Sequence, residues 1–391
     1  MRILFTFAGG NGHFQPLVPI AKIAQQKGHH VLFAGQKAMK SMITAAGFLA
    51  SVTSGETLST SPKRRPLLPL DSEREDRDLR DGFATRLTRQ RASALISLCN
   101  DWKPDVVVCD EVDFGAMIAA DYLNIPYASV LVIASGSFIR TEVVGDALNK
   151  IRAEFGLSPD PDLQMLHRNL VLSPFPPSFR HPDFPLPFTA HSFNNQDHSH
   201  IESEFFQWRT DRDLPIVYFT LGTIFNLESG DLFEKVLLGL KDLPINVIAT
   251  VGNEIDRNEF GQLPQNIQVE QYIPQELILP NCTLVISHGG SGSVLGAISY
   301  GKPMVLIPMG ADQPHNASRS EALEIAKVLD PIKSEPNDIK SAVMEVLTTT
   351  QYRINAESLQ DEIMNLPDTK SALQLIEQLA TKNNKISHLP A

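Results

Sequence analysis

The sequence predicts an α/β protein made of two Rossmann-like, doubly wound domains that face each other across a cleft. Apolar, β-branched runs of strand length recur along the chain, and most are followed by a small or polar turn and then by a helical pattern. The series starts near residue 3 and starts again near residue 216. Such alternation is typical of parallel sheets, and 391 residues are enough for two domains of this kind.

Composition narrows the class of protein. Hydrophobic residues make up 42% of the chain and charged residues 20%, as expected for a soluble globular protein. The formal charge of −11 argues against general nucleic-acid binding and against a basic, membrane-facing surface. No run reaches the ~18 apolar residues of a membrane-spanning helix, and the N-terminus lacks the pattern of a secretion signal. Cys99, Cys109 and Cys282 are expected to be reduced in a cytoplasmic protein.

The N-terminal half opens with a βαβ unit. Residues 3–7 and 31–34 are predicted strands, with a glycine-rich turn and a helix between them. Gly10 and Gly12 of the turn imitate the start of a dinucleotide-binding fingerprint, but Gln15 stands where its third glycine would be. A Rossmann dehydrogenase is therefore disfavoured.

His13 lies in the same turn, which is expected to be a loop at the sheet edge from which a side chain can reach a cleft. A histidine there either packs the loop or works as a base, because its unperturbed pKa of about 6.5 suits proton transfer at neutral pH. A base works better with an orienting carboxylate. Asp110, Glu111 and Asp113 follow the predicted strand at 106–109, and Asp113 would also serve as a helix N-cap.

Several stretches of the N-terminal half are harder to interpret. Residues 54–82 combine prolines with dense charge and are expected to form a solvated loop, followed by an amphipathic helix at 83–98. Residues 130–141 are expected to be strand and loop, with Phe138 beside small residues. Residues 174–187 contain six prolines, too many for a helix or a central strand, and the linker between the domains is placed after them.

Two short polar motifs lie in that linker region. His198 and His200 form an HxH pair, and Asp211 and Asp213 form a DxD pair. Neither has further ligands at the spacing typical of a zinc or magnesium site. No metal site is therefore predicted.

The second series of strands contains the most informative stretch. A predicted strand at 284–287 breaks into HGGSGS at 288–293 before a helical pattern resumes. Glycines let the backbone approach a ligand, and the first N–H groups of a helix have no internal partner, so a diphosphate is the natural occupant. Tight turns also use glycine for steric reasons alone, but this one contains no lysine and fits neither the dinucleotide motif nor the P-loop. His288 is expected to take the place of a cation.

Four blocks in the second half occur in a specific order: YIPQ at 272–275, HGGSGS at 288–293, GKPMVLIP at 301–308 and GADQPHNA at 310–317. This order resembles the nucleotide-sugar signature of the glycosyltransferases of the GT-B fold. More narrowly, it resembles the bacterial natural-product glycosyltransferases related to plant UDP-glycosyltransferases. The resemblance extends over nearly the whole chain and implies the GT-B fold, in which a C-terminal helix crosses back to the first domain.

The resemblance also implies a reaction. His13 would be the general base that takes the proton of an acceptor hydroxyl, Asp110 would hold it, and the transfer would be inverting and need no metal or cofactor. Tyr272 would stack on the base of a nucleotide-sugar donor. The other expected contacts are Gly222, Thr223, Ile273, His288, Gly290, Ser291, Gly292, Ser293, Asp312 and Gln313 for the donor, and Phe14 and Phe138 for the acceptor.

One departure from the family pattern concerns the donor. Gly296 stands where plant relatives carry a glutamate that binds the ribose hydroxyls, and without it a 2′-hydroxyl has no clear partner. This favours a dTDP-sugar over a UDP-sugar. The alternatives that stay open are a UDP-sugar-dependent transferase on another lipophilic acceptor, a lipid-linked glycosyltransferase, a sugar-nucleotide epimerase, and a non-catalytic nucleotide-binding helper.

The predicted organisation is an acceptor-binding domain at 1–195, a linker at 196–213, a nucleotide-sugar-binding domain at 214–372 and a returning helix at 373–391. The expected partners are the nucleotide-sugar donor and a small hydrophobic or polyketide-like acceptor, with no nucleic acid and no membrane. The sugar, the acceptor and the oligomeric state, including a homodimer, stay open.

Overall fold

The computed structural model describes residues 1–53, 64–196, 214–223 and 225–386, with side chains described as far as residue 381. Within these ranges the strands form two separate sheets, and all paired strands are parallel. Helices connect the strands and cover the sheets. The predicted fold class, two doubly wound α/β domains, is confirmed.

The first sheet lies in the N-terminal half. Its described strands are β1 (Arg2–Thr6), β2 (His30–Gly35), β3 (Leu49–Val52), β4 (Val106–Asp110), β5 (Tyr127–Val130), β6 (Leu170–Ser173) and β7 (Ala190–Ser192). They are arranged in the order β3-β2-β1-β4-β5-β6-β7. Strands β1 and β4 are buried almost throughout, which explains why their sequences are continuous apolar runs and not alternating ones.

The helices of this half include a short one directly after β1. They are α1 (Asn11–Phe14), α2 (Val18–Gln26), α3 (Lys40–Ala45), α4 (Ser72–Arg77), α5 (Thr88–Trp102), α6 (Phe114–Leu123) and α7 (Thr141–Glu154). Because α1 begins at Asn11, His13 is helical, and the expectation that it lies in a loop is wrong. Gly10 is extended and caps this helix, and Pro16 lies in the 3₁₀ turn Gln15–Leu17 between α1 and α2, where its missing N–H is tolerated.

The expectation of a solvated loop at residues 54–82 is wrong for the second half of that range. Residues 54–63 lie outside the described residues, but α4 begins at an N-cap, Asp71, which accepts a hydrogen bond from Arg74 N at 3.1 Å. A π-helix, Asp78–Leu87, then leads into α5, so the helix expected at 83–98 is present. Dense charge is compatible with a helix as well as a loop, because opposite charges at i,i+4, such as Glu73 and Arg77, support helical structure.

The second sheet has the same design. Its described strands are β8 (Ile216–Thr220), β9 (Asn246–Thr250), β10 (Ile267–Glu270), β11 (Leu284–Ser287), β12 (Met304–Leu306) and β13 (Ala326–Val328), in the order β10-β9-β8-β11-β12-β13. The helices are α8 (Leu232–Leu240), α9 (Gln275–Ile278), α10 (Ser291–Ser299), α11 (Gln313–Ala322), α12 (Pro336–Thr348) and α13 (Thr350–Met364). In both sheets the strand order reverses where the first strand meets the fourth, at β1/β4 and β8/β11, and ligands bind at such points.

The last helix, α14 (Thr369–Ile386), belongs to the C-terminal half in sequence but packs on the first domain. Leu373 and Ile376 are fully buried in the same core cluster as Ile20 and Ala24 of α2. The expected return of the C-terminal helix is confirmed, whereas the exact domain limits stay predictions. Among the described residues, no helix combines the length and the apolar composition needed to cross a membrane.

Candidate active site

His13 and Asp110 come together at the C-terminal edge of the first sheet. Strands β1 and β4 are parallel neighbours, with Thr6 opposite Cys109, so the turn after β1 meets the end of β4. His13 Nδ1 lies 2.9 Å from Asp110 Oδ2. The Asp110 side chain is fully buried, while 25% of the His13 side chain is exposed. The accessible part of the imidazole is therefore the part that faces away from the carboxylate.

Asp110 is held in place by backbone donors. Ala8 N donates to its Oδ2 at 3.1 Å, and Val112 N donates to its Oδ1 at 3.0 Å. A carboxylate that already accepts two N–H groups is a fixed acceptor for the proton on His13 Nδ1, which leaves Nε2 free to accept a proton. This is the arrangement of an oriented general base.

The two other nearby carboxylates have different partners. Glu111 accepts hydrogen bonds from Val132 N and Ile133 N. Asp113 forms a fully buried ion pair with Arg91 and accepts a hydrogen bond from Ala116 N at the start of α6. The N-cap interpretation of Asp113 is therefore confirmed, and of the three carboxylates the structure places Asp110 on His13.

The pKa of His13 is raised above its ordinary value of 6.5. Burial of the ring works in the opposite direction, but the negative charge of Asp110 and the hydrogen bond to it outweigh that effect. Asp312 and Glu111 raise the pKa further. These carboxylates favour the imidazolium that forms when His13 accepts a proton. Because Asp312 belongs to the second domain, both domains contribute charge at this position.

Aromatic side chains near His13 differ from the expected ones. Phe14 is fully buried and packs against Phe7 and Phe33 in the core, so the structure does not bring it to the cleft. Phe83, which the sequence did not single out, lies nearly parallel to the His13 ring with centroids 6.5 Å apart. Phe138 is half-buried and contacts His315 of the second domain edge-on. The sequence could not show that Phe14 faces the core, because α1 has only four residues and gives too little periodicity.

His288 sits between two glycines at the switch point of the second sheet. A Cβ on Gly222 would lie 2.7 Å from His288 Cε1, and a Cβ on Gly290 would lie 2.5 Å from His288 Nε2. Neither position has room for a side chain. Gly222 also has a φ of +75°, which favours glycine. The spacing of these glycines is therefore explained by the imidazole that lies between them.

The His288 ring is uncharged at neutral pH. Burial lowers its pKa to about 4, so the expectation that it takes the place of a cation is wrong for the free protein. Its Nδ1 is buried and has no hydrogen-bond partner among the described residues. Phe225 packs beside the ring, with centroids 5.9 Å apart. A neutral imidazole in this position can still donate one hydrogen bond to a ligand.

The N-terminus of α10 has the form expected for an anion site. Gly290 is the N-cap, and the first N–H groups of the helix, from Ser291 onwards, have no partner within the helix. A Cβ on Gly292 would meet nothing within 4 Å, so the backbone there is open to a ligand. Ser293 is half-buried in the same turn.

The side chains at the start of α10 and α11 bind one another. Ser291 Oγ donates to Asp312 Oδ2 at 2.6 Å, and Asn316 Nδ2 donates to the same oxygen at 2.8 Å. Gln313 is 1% exposed, and its Oε1 accepts a hydrogen bond from Met309 N at 2.8 Å. The structure therefore brings Asp312 to the site but directs the Gln313 side chain into its own loop.

The residues expected to contact the nucleoside follow strands β8 and β10. Tyr272 is 62% exposed, whereas Ile273 is 4% exposed, so only the backbone of Ile273 is offered to a ligand. Thr223 is exposed after β8. A Cβ on Gly296 would lie 3.1 Å from Gln275 Nε2, so the amide of Gln275 occupies the space beside Gly296.

The two domains touch directly beside the site. Ala134 N donates to Ser291 Oγ at 2.8 Å, and Ser135 N donates to Asn316 Oδ1 at 3.1 Å. These bonds join the loop after β5 to the starts of α10 and α11. His13 and the glycine turn thus lie at the same interface between the domains.

The described part of the chain offers neither a cluster of metal ligands nor a reactive thiol. It contains no group of three or more potential metal ligands, and both the HxH and the DxD pair lie outside the described residues. Burial raises the pKa of Cys99 and that of Cys282 to about 12. Burial also raises the pKa of Cys109 well above its ordinary value. None of the three thiols is a nucleophile at neutral pH.

Comparisons with known proteins cover the whole chain. Residues 234–379 match the family described as "Erythromycin biosynthesis protein CIII-like, C-terminal domain". The 3-alpha-mycarosylerythronolide B desosaminyl transferase of Saccharopolyspora erythraea is 23% identical over 97% of this chain and 98% of the relative. The 10-deoxymethynolide desosaminyltransferase of Streptomyces venezuelae is 24% identical over 98% of each.

Solved structures show the same fold. The glycotransferase of kitacinnamycin superposes with a TM-score of 0.77 at 20% identity, over 97% of this chain and 98% of that chain. Glycosyltransferase VinC in complex with dTDP superposes with a TM-score of 0.74 at 21% identity, over 98% of this chain and 100% of that chain. The chain thus has the GT-B fold and is similar along nearly its whole length to glycosyltransferases of the bacterial natural-product branch, and residues 234–379 match a family domain of that branch.

Proposed function

We propose that this glycosyltransferase moves a sugar from a dTDP-sugar to a hydroxyl group of a small, polyketide-like acceptor, with inversion at the anomeric carbon. The observation that carries the proposal is the His13–Asp110 pair, which lies in the same cleft as the glycine turn before α10. The relatives above are named for desosaminyl transfer to mycarosylerythronolide B and to 10-deoxymethynolide, and a structural neighbour holds dTDP.

In the proposed step, His13 Nε2 takes the proton of the acceptor hydroxyl while the hydroxyl oxygen forms a bond to the anomeric carbon. The bond between that carbon and the diphosphate oxygen breaks, and its electron pair leaves with the diphosphate. Asp110 stabilises the imidazolium that results. The N–H groups and the positive dipole end of α10 stabilise the leaving charge, and His288 adds one neutral donor. No metal is needed for this charge stabilisation.

Gly290→Ala is expected to weaken dTDP binding about 10- to 100-fold. The new methyl carbon would stand 2.5 Å from His288 Nε2, and the ring has no room to retreat because Gly222 lies on its other side. Overpacking of this kind typically costs about 1–3 kcal/mol. Isothermal titration calorimetry with dTDP measures the effect.

Gly82→Ala, in the helix Asp78–Leu87 of the first domain, is the control, because a Cβ there also meets nothing within 4 Å and alanine suits a helix better than glycine. Its affinity for dTDP is expected to stay at the wild-type level. Equal weakening by the two substitutions, or weakening by neither, would contradict the assigned role of the His288 ring.

The nucleotide preference is expected to favour dTDP over UDP. The space beside Gly296 holds the Gln275 amide and no carboxylate, so the ribose 2′-hydroxyl gains no charged acceptor there. Calorimetric titration of the wild-type protein with dTDP, with UDP, and with NAD as a control measures this. Tighter binding of UDP would reverse the donor assignment, and binding of NAD alone would overturn the proposed function.

A further inference from the structure

Residues 64–77, here called the crossing segment, belong to the first half of the chain but contact the second domain near both ends. Arg65 N donates to Leu227 O at 2.7 Å, and Gly230 N donates to Arg65 O at 3.0 Å, as in a short strand pairing. The Arg64 guanidinium donates to Gly230 O at 2.7 Å and to Glu234 at 2.6 Å. The N-terminal end of the crossing segment is thus anchored beside the loop that follows β8.

Glu75, in helix α4, makes the second attachment. Its Oε2 accepts a hydrogen bond from Ala311 N at 2.9 Å, and a Cβ on Gly310 would lie 3.1 Å from its Oε1. The side chain is 19% exposed. Ala311 has a φ of +54°, which is unfavourable for a residue other than glycine and persists where neighbours hold the backbone. The carboxylate of Glu75 therefore packs against the loop between β12 and α11 and holds its backbone.

Several contacts locate this carboxylate relative to the reaction centre. The next residue in the loop, Asp312, binds Ser291 at the start of α10, and its charge reaches His13. On the other side, the Cβ position of Gly310 is 3.5 Å from Phe225, whose ring lies beside that of His288. The Glu75 carboxylate thus lies against the loop whose next residue, Asp312, reaches both the start of α10 and His13. In the proposed transfer the sugar is bonded to the diphosphate and is attacked from the side of His13, so we expect it to lie along this loop.

We propose that Glu75 is a specificity-determining residue for the donor sugar, and that its carboxylate accepts hydrogen bonds from sugar hydroxyl groups. This inference rests on the proposed function. Glu75 Oε2 accepts the Ala311 N–H and Oε1 accepts a hydrogen bond from Arg74 Nη2 at 3.2 Å, but each carboxylate oxygen has a further lone pair, and O–H···O⁻ bonds are among the stronger hydrogen bonds. Gln313, expected to hold the sugar, is instead bound to Met309 N. In this proposal the first domain contributes a carboxylate beside the loop that carries Asp312.

The test separates the sugar from the nucleotide. The dissociation constants of dTDP and of dTDP-glucose are measured by calorimetry for the wild type, Glu75→Gln and Glu73→Gln. Glu73 is the matched control, because it lies on the same helix with its side chain 89% exposed. We expect Glu75→Gln to weaken dTDP-glucose about tenfold relative to dTDP, as for the loss of a charged hydrogen bond. Glu73→Gln is expected to change neither constant.

Glu75→Asp is the second variant; it keeps the charge but shortens the side chain. It is also expected to weaken the binding of dTDP-glucose relative to that of dTDP. If neither Glu75 variant changes the affinity for dTDP-glucose relative to the affinity for dTDP, the proposal is overturned. Equal weakening of dTDP and dTDP-glucose also overturns it, because Glu75 would then act only through the shape of the loop. Failure of the wild-type protein to bind dTDP at all would instead refute the proposed function, and this inference with it.

Discussion

His13→Ala is expected to lower the rate of sugar transfer about 10²- to 10⁴-fold, which is the usual contribution of a general base. Donor binding is expected to persist, because the glycine turn and α10 belong to the second domain. His191→Ala is the control, since His191 is an exposed residue on the edge strand β7. The measurements are the rate of acceptor glycosylation at saturating donor and the calorimetric affinity for dTDP. Transfer at the wild-type rate would show that His13 is not the base.

The pH dependence of the wild-type rate is a second measurement of whether His13 is the base. A base must be unprotonated to accept a proton, and the pKa of His13 is raised above 6.5. The rate is therefore expected to fall as pH decreases through a value above 6.5. Asp110→Asn removes the two largest contributions that raise the pKa, the charge of Asp110 and the hydrogen bond to its carboxylate, and leaves the burial that lowers it. In that variant the fall is expected at lower pH and the maximal rate is reduced.

Arg91→Met is expected to destabilise the first domain by about 3–5 kcal/mol, the usual effect of removing one partner of a buried ion pair. Arg91 and Asp113 are both fully buried, and the guanidinium also donates to Thr6 at 2.5 Å and to Thr53 at 3.0 Å. Without it, the Asp113 carboxylate stays in the core with no cation to balance its charge. Urea unfolding followed by tryptophan fluorescence, to which Trp102 at the end of α5 contributes, measures the loss.

The control for this substitution lies on the same helix. Arg89 forms a two-pronged ion pair with Glu154, at 2.6 and 2.8 Å, but both side chains are largely exposed. Arg89→Met is therefore expected to cost about 0–1 kcal/mol, as for other surface pairs. If the two variants unfold at the same urea concentration, the buried cluster is not a main source of stability.

Most strands could be predicted because they are buried. Strand β11, LVIS, is fully buried, so its sequence is an apolar run that ends at a glycine-rich turn, and its limits match the prediction. The glycine turn was equally readable, since Gly222 and Gly290 leave no space for another residue beside His288. Sequence patterns report such constraints directly, because each one is local or depends on residue size.

What could not be predicted depends on contacts between distant parts of the chain. Glu75 and Ala311 are 236 residues apart, and nothing in a charge-rich stretch shows which of its carboxylates faces inward. The neutral state of His288 follows from its burial, which the sequence of a glycine-rich turn does not reveal. Phe14 was assigned to the cleft from its place beside His13, but it packs into the core on the other side of the helix.

The way the chain connects its domains restricts how the cleft can open. The chain leaves the first domain after Gln196 and returns at Pro367, where Asn194 N donates to Pro367 O at 2.8 Å and Thr369 donates to Asn194 O at 3.1 Å. With both passages side by side, the domains can swing about that shared edge, whereas sliding or twisting would break these bonds. Under the proposed function, opening of the cleft in this way would carry His13 away from α10, so the base would leave the sugar and its diphosphate in a single step.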